Sequence, residues 1–383
     1  MTFGILALVA LAGLLGPLLG ARTAWHVPVV VGELAAGVVL GVTGFAVLTS
    51  SDSTFTFLAD IGFGLTMLVA GSHVPLRDKA VREAIGKGAG RAVAVGVLAA
   101  VAGYLVSTAF GTGHAALYGV LIASSSAALI LPIVDSLALG GTSVLQMTAQ
   151  VAIADTVCIV ALPLVIDPNN AARAGLGALA VAACAGVLFL VLRGLDRSGQ
   201  WKRLHKFSEK RKFALELRIN LVILFSLAAL ATSTHVSIML AGFAFGLVLA
   251  GIGEPRRLAK QLFAITDGFF APLFFVWLGA SINLRDLFNH PSSLWLGLSL
   301  AAATLIVHAL LRLSGLPISL GVLSAAQLGV PVAAVTVGTQ LGVMGDGEPA
   351  AILLAALLTV GAATIAGGAA ARAGLTAPAK AEA

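Results

Sequence analysis

Charge is scarce in this 383-residue chain: Asp, Glu, Lys and Arg make up 10% of it, against about a quarter in a soluble globular protein. Hydrophobic residues reach 59% and the mean hydropathy is +1.03, so a soluble fold is the wrong reference and the chain is polytopic. Cysteine is limited to Cys158 and Cys184, both inside apolar stretches, which excludes a disulfide framework and metal-type spacing. No nucleophile elbow, phosphate loop or metal-ligand cluster occurs in a proper context, so no enzyme and no cofactor is expected. The first apolar stretch lacks a basic n-region and a small-residue cleavage site, and is read as a retained span rather than a leader.

A bilayer core takes about 20 helical residues, and thirteen stretches are long and apolar enough: 3–21, 27–45, 55–73, 91–110, 115–137, 145–166, 172–194, 215–234, 236–252, 260–281, 293–312, 317–340 and 348–371. The expected fold class is an all-α polytopic membrane protein. The net charge of +6 does not gather on one soluble face. With the N-terminus outside, every Lys and Arg except Arg173 and Arg285 falls on one side of the membrane. That is the positive-inside pattern; it gives N-out, C-in and an odd number of spans. The basic run Asp196 to Phe213 then becomes a cytoplasmic loop against lipid headgroups, and nucleic acid is not expected as a partner.

The chain also repeats itself. GELAAGVVLGVTG (Gly32 to Gly44) aligns with AGFAFGLVLAGIG (Ala241 to Gly253), and GSHVPLRD (Gly71 to Asp78) is echoed by GASINLRD (Gly279 to Asp286). An offset of seven spans turns the second copy upside down, an inverted repeat pairing spans 2–6 with 9–13, as in many secondary transporters. GVL recurs at Gly119 and Gly321, in the fifth and twelfth spans. Those two spans carry the breaks: IASSSAALILP, with Ser124, Ser125, Ser126 and Pro132, and QLGVPVAAVTVG, with Gln327, Gly329 and Pro331. Discontinuous helices bring dipole ends and free carbonyls to mid-membrane; in the plainer reading Ser and Pro only kink packed helices.

One carboxylate, Asp155, lies in the apolar run Val144 to Ile166, and no Lys or Arg occurs between Arg91 and Arg173. An intramembrane acid without a local cation is a functional-site candidate by default. Burial disfavours its anion, so it exchanges a proton at working pH and binds either H⁺ or a hard monovalent cation. Both loaded forms are near neutral and the bare anion is costly to move, which makes exchange obligatory. Oxygens from Asp155, the two breaks, and Ser125, Ser126 or Thr156 suit Na⁺, Li⁺ or K⁺.

VPVVVGELAAGVVLGVTG (with Pro28, Gly32, Glu33, Gly37 and Gly41), ADIGFGLTMLVAGSHVPL, the stretch from Ser124 to Asp155 and FFAPLFFVWLGASINL (Phe269 to Leu284) together resemble the monovalent cation/proton antiporter superfamily, in its second, sodium/hydrogen exchanger branch of bacterial type. The resemblance covers essentially the whole chain. It implies thirteen helices with crossed discontinuous helices 5 and 12. It also implies a mobile transport subdomain (about 55–166 and 260–371), a dimerisation or panel subdomain (about 1–54 and 172–252), an elevator movement and a homodimer in the inner membrane. The family's paired residues in the sixth helix match Ala154 and Asp155, so the ion-binding acid is present and its acidic neighbour is not. The usual acid after Gly-Leu is His73 here. The family's basic residue in the eleventh helix falls at His308, with Arg312 one turn later. Replacing an Asp–Lys pair by Ala and a neutral His is self-consistent, since a buried Lys without its partner is costly.

One titrating carboxylate gives one H⁺ per cation and electroneutral exchange, unless His308 also titrates. Glu33 is read as a packing or funnel residue. Asp60 and Asp267 are read as helix caps, Asp135 as surface charge, and His114 and His235 as interfacial. Two other classes remain. One is a gated cation channel of the potassium-efflux type, whose nucleotide-binding domain is not expected here because the chain ends soon after the last span. The other is a non-transporting membrane sensor or scaffold, which Asp155→Asn would leave unchanged.

Overall fold

The computed structural model of the protein describes residues 1–21, 29–72, 74, 79–199, 211, 213–234, 236–253, 256–285 and 291–376. Pro28, His73, His235, residues 75–78 and 286, and most of the basic run after Asp196 lie outside the described residues. The described chain is helical: α1 (Phe3–Gly13), α2 (Leu15–Gly20), α3 (Val29–Leu40), α4 (Ser53–Ser72), α5 (Lys79–Phe110), α6 (Ala115–Ala123), α7 (Ala127–Ser136), α8 (Thr142–Ile166), α9 (Ala171–Arg197), α10 (Leu215–Ser233), α11 (Ile238–Ile252), α12 (Arg256–Ile265), α13 (Ala271–Ser281), α14 (Pro291–Ala309), α15 (Ile318–Leu323), α16 (Gly329–Leu341) and α17 (Glu348–Arg372). A π-helical turn, Thr266–Phe270, joins α12 to α13. Among the described residues the only extended pairing is an isolated bridge between Leu139 and Thr376.

Among the described residues nine helical segments are long and apolar enough to cross a membrane, and α3, α11 and α16 are shorter apolar helices. The stretches 115–137 and 317–340 are each divided, into α6 and α7 and into α15 and α16.

The chain forms two compact units. The first comprises Met1–Ala10, Ser51–Arg77 and Asn169–Phe275. Its α4 and α11 run in backbone contact, because the meeting residues have no side chain to hold them apart. A Cβ on Gly71 would lie 2.5 Å from Phe243 O and 3.0 Å from Gly246 Cα, and one on Gly246 would lie 2.7 Å from Gly71 Cα. Small-residue contact of this kind replaces the hydrophobic drive that helices lack inside lipid.

The second unit comprises Leu11–Ser50, Asp78–Pro168 and Val276–Ala383. Here Gly37 of α3 meets Gly279 of α13: a Cβ on Gly37 would lie 2.8 Å from Gly279 Cα, and one on Gly279 2.9 Å from Gly37 Cα. Each of the similar segments Gly32 to Gly44 and Ala241 to Gly253 thus rests, through Gly37 or Gly246, on a glycine far from it in sequence, Gly279 in the second unit and Gly71 in the first. Elsewhere in the second unit Gly103 packs α5 on α6, Gly88 packs α5 on α8, and Gly297 packs α14 on α17.

The start of α4 is capped by Asp52, whose Oδ1 accepts the N–H groups of Thr54 and Phe55, both at 3.0 Å. The expected cap, Asp60, sits in the third turn of that helix, and Asp267 lies in the π turn rather than at a helix start. Both readings are corrected: a carboxylate caps only from the residue before the first turn or within it, where the backbone N–H groups lack partners.

Candidate functional site

The site is built in the second unit, where two helices stop in mid-course and their ends meet. After Ala123 the chain turns extended, with Ser124 at ψ 148° and Ser126 at φ −115°, ψ 102°, before α7 begins at Ala127. Three consecutive serines favour such a break, because their hydroxyls compete with the helix for backbone hydrogen bonds. The second break runs from Ser324 to Leu328, and α16 restarts at Gly329 with Pro331 in its first turn, where no N–H is needed. The breaks are bonded to each other: Ser126 N–H donates to Ala326 O at 2.8 Å, and Ser125 Oγ to Ser324 O at 2.7 Å.

Asp155 lies in the interior of α8, buried at 6% exposure. Its Oδ2 accepts the N–H of Ala127 at 3.0 Å, the first residue of α7. A carboxylate at a helix N-terminus meets the positive end of the dipole, so the broken helix supplies partial positive charge without a full one. Among the described residues no basic side chain pairs with Asp155; the two ion pairs found are Met1 with Asp52 and His114 with Glu348. Ala154, also buried, leaves the adjacent position without a second acid.

Of the other expected residues, Ser125, Ser126 and Gln327 are brought to the crossing. Gln327 Nε2 donates to Leu121 O at 2.6 Å and to Thr304 Oγ1 at 3.3 Å, and its backbone N–H reaches Thr359 Oγ1 at 3.3 Å. With Thr304, Pro331 and Ile352 it lines a small cavity. Thr156 is not brought in: its hydroxyl donates back to Ala152 O at 2.8 Å along its own helix. Glu33 is buried on α3, its Cγ facing Gly16 of α2.

His308 is fully buried near the end of α14. Its Nδ1 lies 3.0 Å from Thr304 O, which a carbonyl permits only if Nδ1 carries the hydrogen, and Nε2 has no hydrogen-bond partner. Arg312, in the 3₁₀ turn that continues α14, is exposed.

Three features escaped the reading of the sequence. Gln150 of α8 reaches Ser324 at the second break, at 3.4 Å. Thr304 and Thr359 hold Gln327 from α14 and α17. Glu348, buried at the start of α17, accepts Tyr118 Oη and faces His114 Nδ1 through Oε1, both at 2.7 Å, so His114 is tied to a neighbouring helix rather than merely interfacial. A polar residue inside an apolar run was the available signal for Gln150.

The sequence profile described as "Sodium/hydrogen exchanger, transmembrane" matches residues 6–372. The chain is 26% identical over 344 residues to a protein of Methanocaldococcus jannaschii named Probable Na(+)/H(+) antiporter 3, covering 84% of this chain and 85% of that one. It is 26% identical over 268 residues to the Glutathione-regulated potassium-efflux system protein KefC of an Enterobacter species, covering 68% of this chain and 42% of that protein. The fold is similar to the solved sodium proton antiporter MjNhaP1 from Methanocaldococcus jannaschii, with a TM-score of 0.62, 17% identity, and 97% and 96% of the two chains covered. With a match over nearly its whole length, and helices of membrane-crossing length throughout, the chain belongs to the sodium/hydrogen exchanger family of multi-pass membrane proteins.

Proposed function

We propose that the chain is a secondary transporter that exchanges a monovalent cation for H⁺ by alternating access, with Na⁺ the first candidate and K⁺ or Li⁺ the alternatives, and with Asp155 as the shared carrier. The observation that carries this reading is Asp155 itself: a buried carboxylate, free of any ion pair among the described residues, held only by the Ala127 N–H at the start of a half-helix. Such a group releases its proton to water only as a cation takes the proton's place, since a bare anion in a dry site is strongly disfavoured. Ser125 and Ser126 stand at the same break and supply further oxygen, while Gln327 braces the crossing from behind.

The reading extends to thirteen crossings in an inverted repeat. Its support is the reciprocal glycine contact, Gly37 on Gly279 and Gly246 on Gly71, in which each repeat motif meets the partner motif of the other copy. A movable transport part, a homodimer, N-out and C-in orientation and the inner membrane belong to the same proposal. Exchange is electroneutral, because Ala154 replaces a second acid and His308 has its hydrogen on Nδ1, an unpartnered Nε2 and, among the described residues, no acid in ion-pair contact.

Purified protein in proteoliposomes carrying a pH dye tests this. Na⁺, Li⁺ or K⁺ added to one side should move H⁺ in the opposite direction with no current at zero potential, and a steady current driven by a Na⁺ gradient alone would overturn the one-for-one stoichiometry. A gated channel of the kind suggested by the potassium-efflux relative would instead pass K⁺ with no proton counterflow.

A further inference from the structure

Asp155 is not the only residue by which α8 reaches the crossing. Gln150, five residues earlier, has no exposed surface. It lies about 7.5 Å along the axis from Asp155 and about 140° around it, so the two side chains engage different arms of the broken pair. Gln150 Nε2 faces Ser324 Oγ at 3.4 Å. The hydrogen of that hydroxyl is already spent on Gly321 O at 2.7 Å, so Ser324 Oγ is the acceptor and the amide must present its NH₂ there. The carbonyl oxygen, Oε1, is buried with no hydrogen-bond partner.

Ser324 O takes the hydroxyl of Ser125, and Ser125 and Ser324 are both buried. Buried hydroxyl and carbonyl oxygens, one of them without any donor, are suited to a dehydrated alkali cation. An amide has a further property that a carboxylate lacks: it binds a cation but takes up no proton near neutral pH.

We propose that Gln150 Oε1, with the Ser324 hydroxyl beside it, forms a second, neutral oxygen station for the transported cation, occupied as the cation passes to or from Asp155. This inference rests on the reading that Asp155 carries the cation. Conduction through such a site needs binding weak enough to release, which a neutral amide oxygen provides. The station separates the two substrates, because the cation can rest there and the proton cannot.

Cation-driven proton flux in proteoliposomes, measured on the full chain with Li⁺, Na⁺ and K⁺ in turn, tests it. Gln150→Leu keeps the bulk and removes the oxygen; it should raise the cation KM about tenfold, the effect of losing one ligand to a charge, and change the order of KM among the three ions, with kcat nearly kept. Gln150→Glu, of the same size, should move KM the other way. Ser324→Ala, which frees the amide without adding bulk, should raise KM in the same direction as Gln150→Leu and serves if that variant does not fold. Parent KM and ion order in these variants, or a fall in kcat with KM unmoved, would overturn the station and leave Gln150 as packing or the seat of a buried water. Exchange that survives Asp155→Asn would overturn the carrier reading instead, whereas a negative result at Gln150 alone leaves that reading standing.

Discussion

Replacing Gly279 by Ala adds one methyl group at the closest approach of α3 and α13. The new Cβ would collide with Leu34 O and lie 2.9 Å from Gly37 Cα. Carbon atoms rest at about 3.5–4.0 Å, so the two helices must part by roughly 0.6 Å or more. They have little freedom to do so, because Gly41 meets the backbone of Ala280 one turn along the same contact. Overpacking of this kind costs about 1–3 kcal/mol. Gly96, inside α5 with nothing within 4 Å of its would-be Cβ, is the control: there Ala replaces Gly in a helix interior and should stabilise by about 0.5–1 kcal/mol. The two variants should therefore diverge by roughly 1.5–4 kcal/mol, read as midpoints of thermal or denaturant unfolding in detergent. Gly246→Ala, facing Gly71 in the first unit, should fall with Gly279→Ala. If Gly279→Ala and Gly246→Ala unfold together with Gly96→Ala, the close contacts do not hold these helices and the argument for paired repeat motifs goes with them.

Tyr118→Phe removes a buried hydroxyl donated to Glu348 Oε1 and should cost about 1–3 kcal/mol in the same unfolding assay; an unchanged midpoint would mean that this contact contributes nothing. Gln327→Leu removes the donors to Leu121 O and Thr304 Oγ1, but Ser124 still bonds Leu121 O. It should lose only about 1–2 kcal/mol of stability while slowing exchange severalfold, so normal turnover would show that the crossing does not need this brace. The Met1 ammonium and the N–H of Phe55 hold Asp52 below the usual carboxylate range. A depressed value means that the cap is fully present above the ordinary pKa of about 3.9 and is lost as pH falls through the depressed one. Protection of the first turn of α4 against hydrogen exchange, taken relative to the intrinsic amide rate at each pH, should therefore fall more between pH 5 and pH 2 than in Asp52→Asn, with equal behaviour of the two counting against the cap.

What could be read from the sequence follows from which signals survive in a lipid-facing chain. The three serines at 124–126 and the Gln-Leu-Gly-Val-Pro stretch marked both breaks, because helix-competing hydroxyls and a ring without an N–H act through local backbone chemistry. Asp155 stood out because one charge in an apolar run needs no partner to be noticed. The similar glycine motifs were legible, yet the sequence could not say that Gly37 would meet Gly279 and Gly71 would meet Gly246. Facing was the weak point. A helix that is apolar all round has no polar stripe to orient it, so Thr156, beside Asp155, looked like a ligand and instead bonds to its own helix, while Gln150 in the same run went unremarked and reaches the second break. The misplaced caps have a related cause: where both flank and helix are apolar, hydropathy marks a span but not its first turn, and Asp52 rather than Asp60 proved to stand at that turn.

If one carboxylate serves both substrates in turn, cation binding must displace a proton. Adding Na⁺ to weakly buffered, detergent-solubilised protein near neutral pH should release protons in proportion to the cation bound, approaching about one per chain, and Asp155→Asn should release none. Equal release from Asp155→Asn, or Na⁺ binding by the parent with no proton appearing, would contradict competition at Asp155.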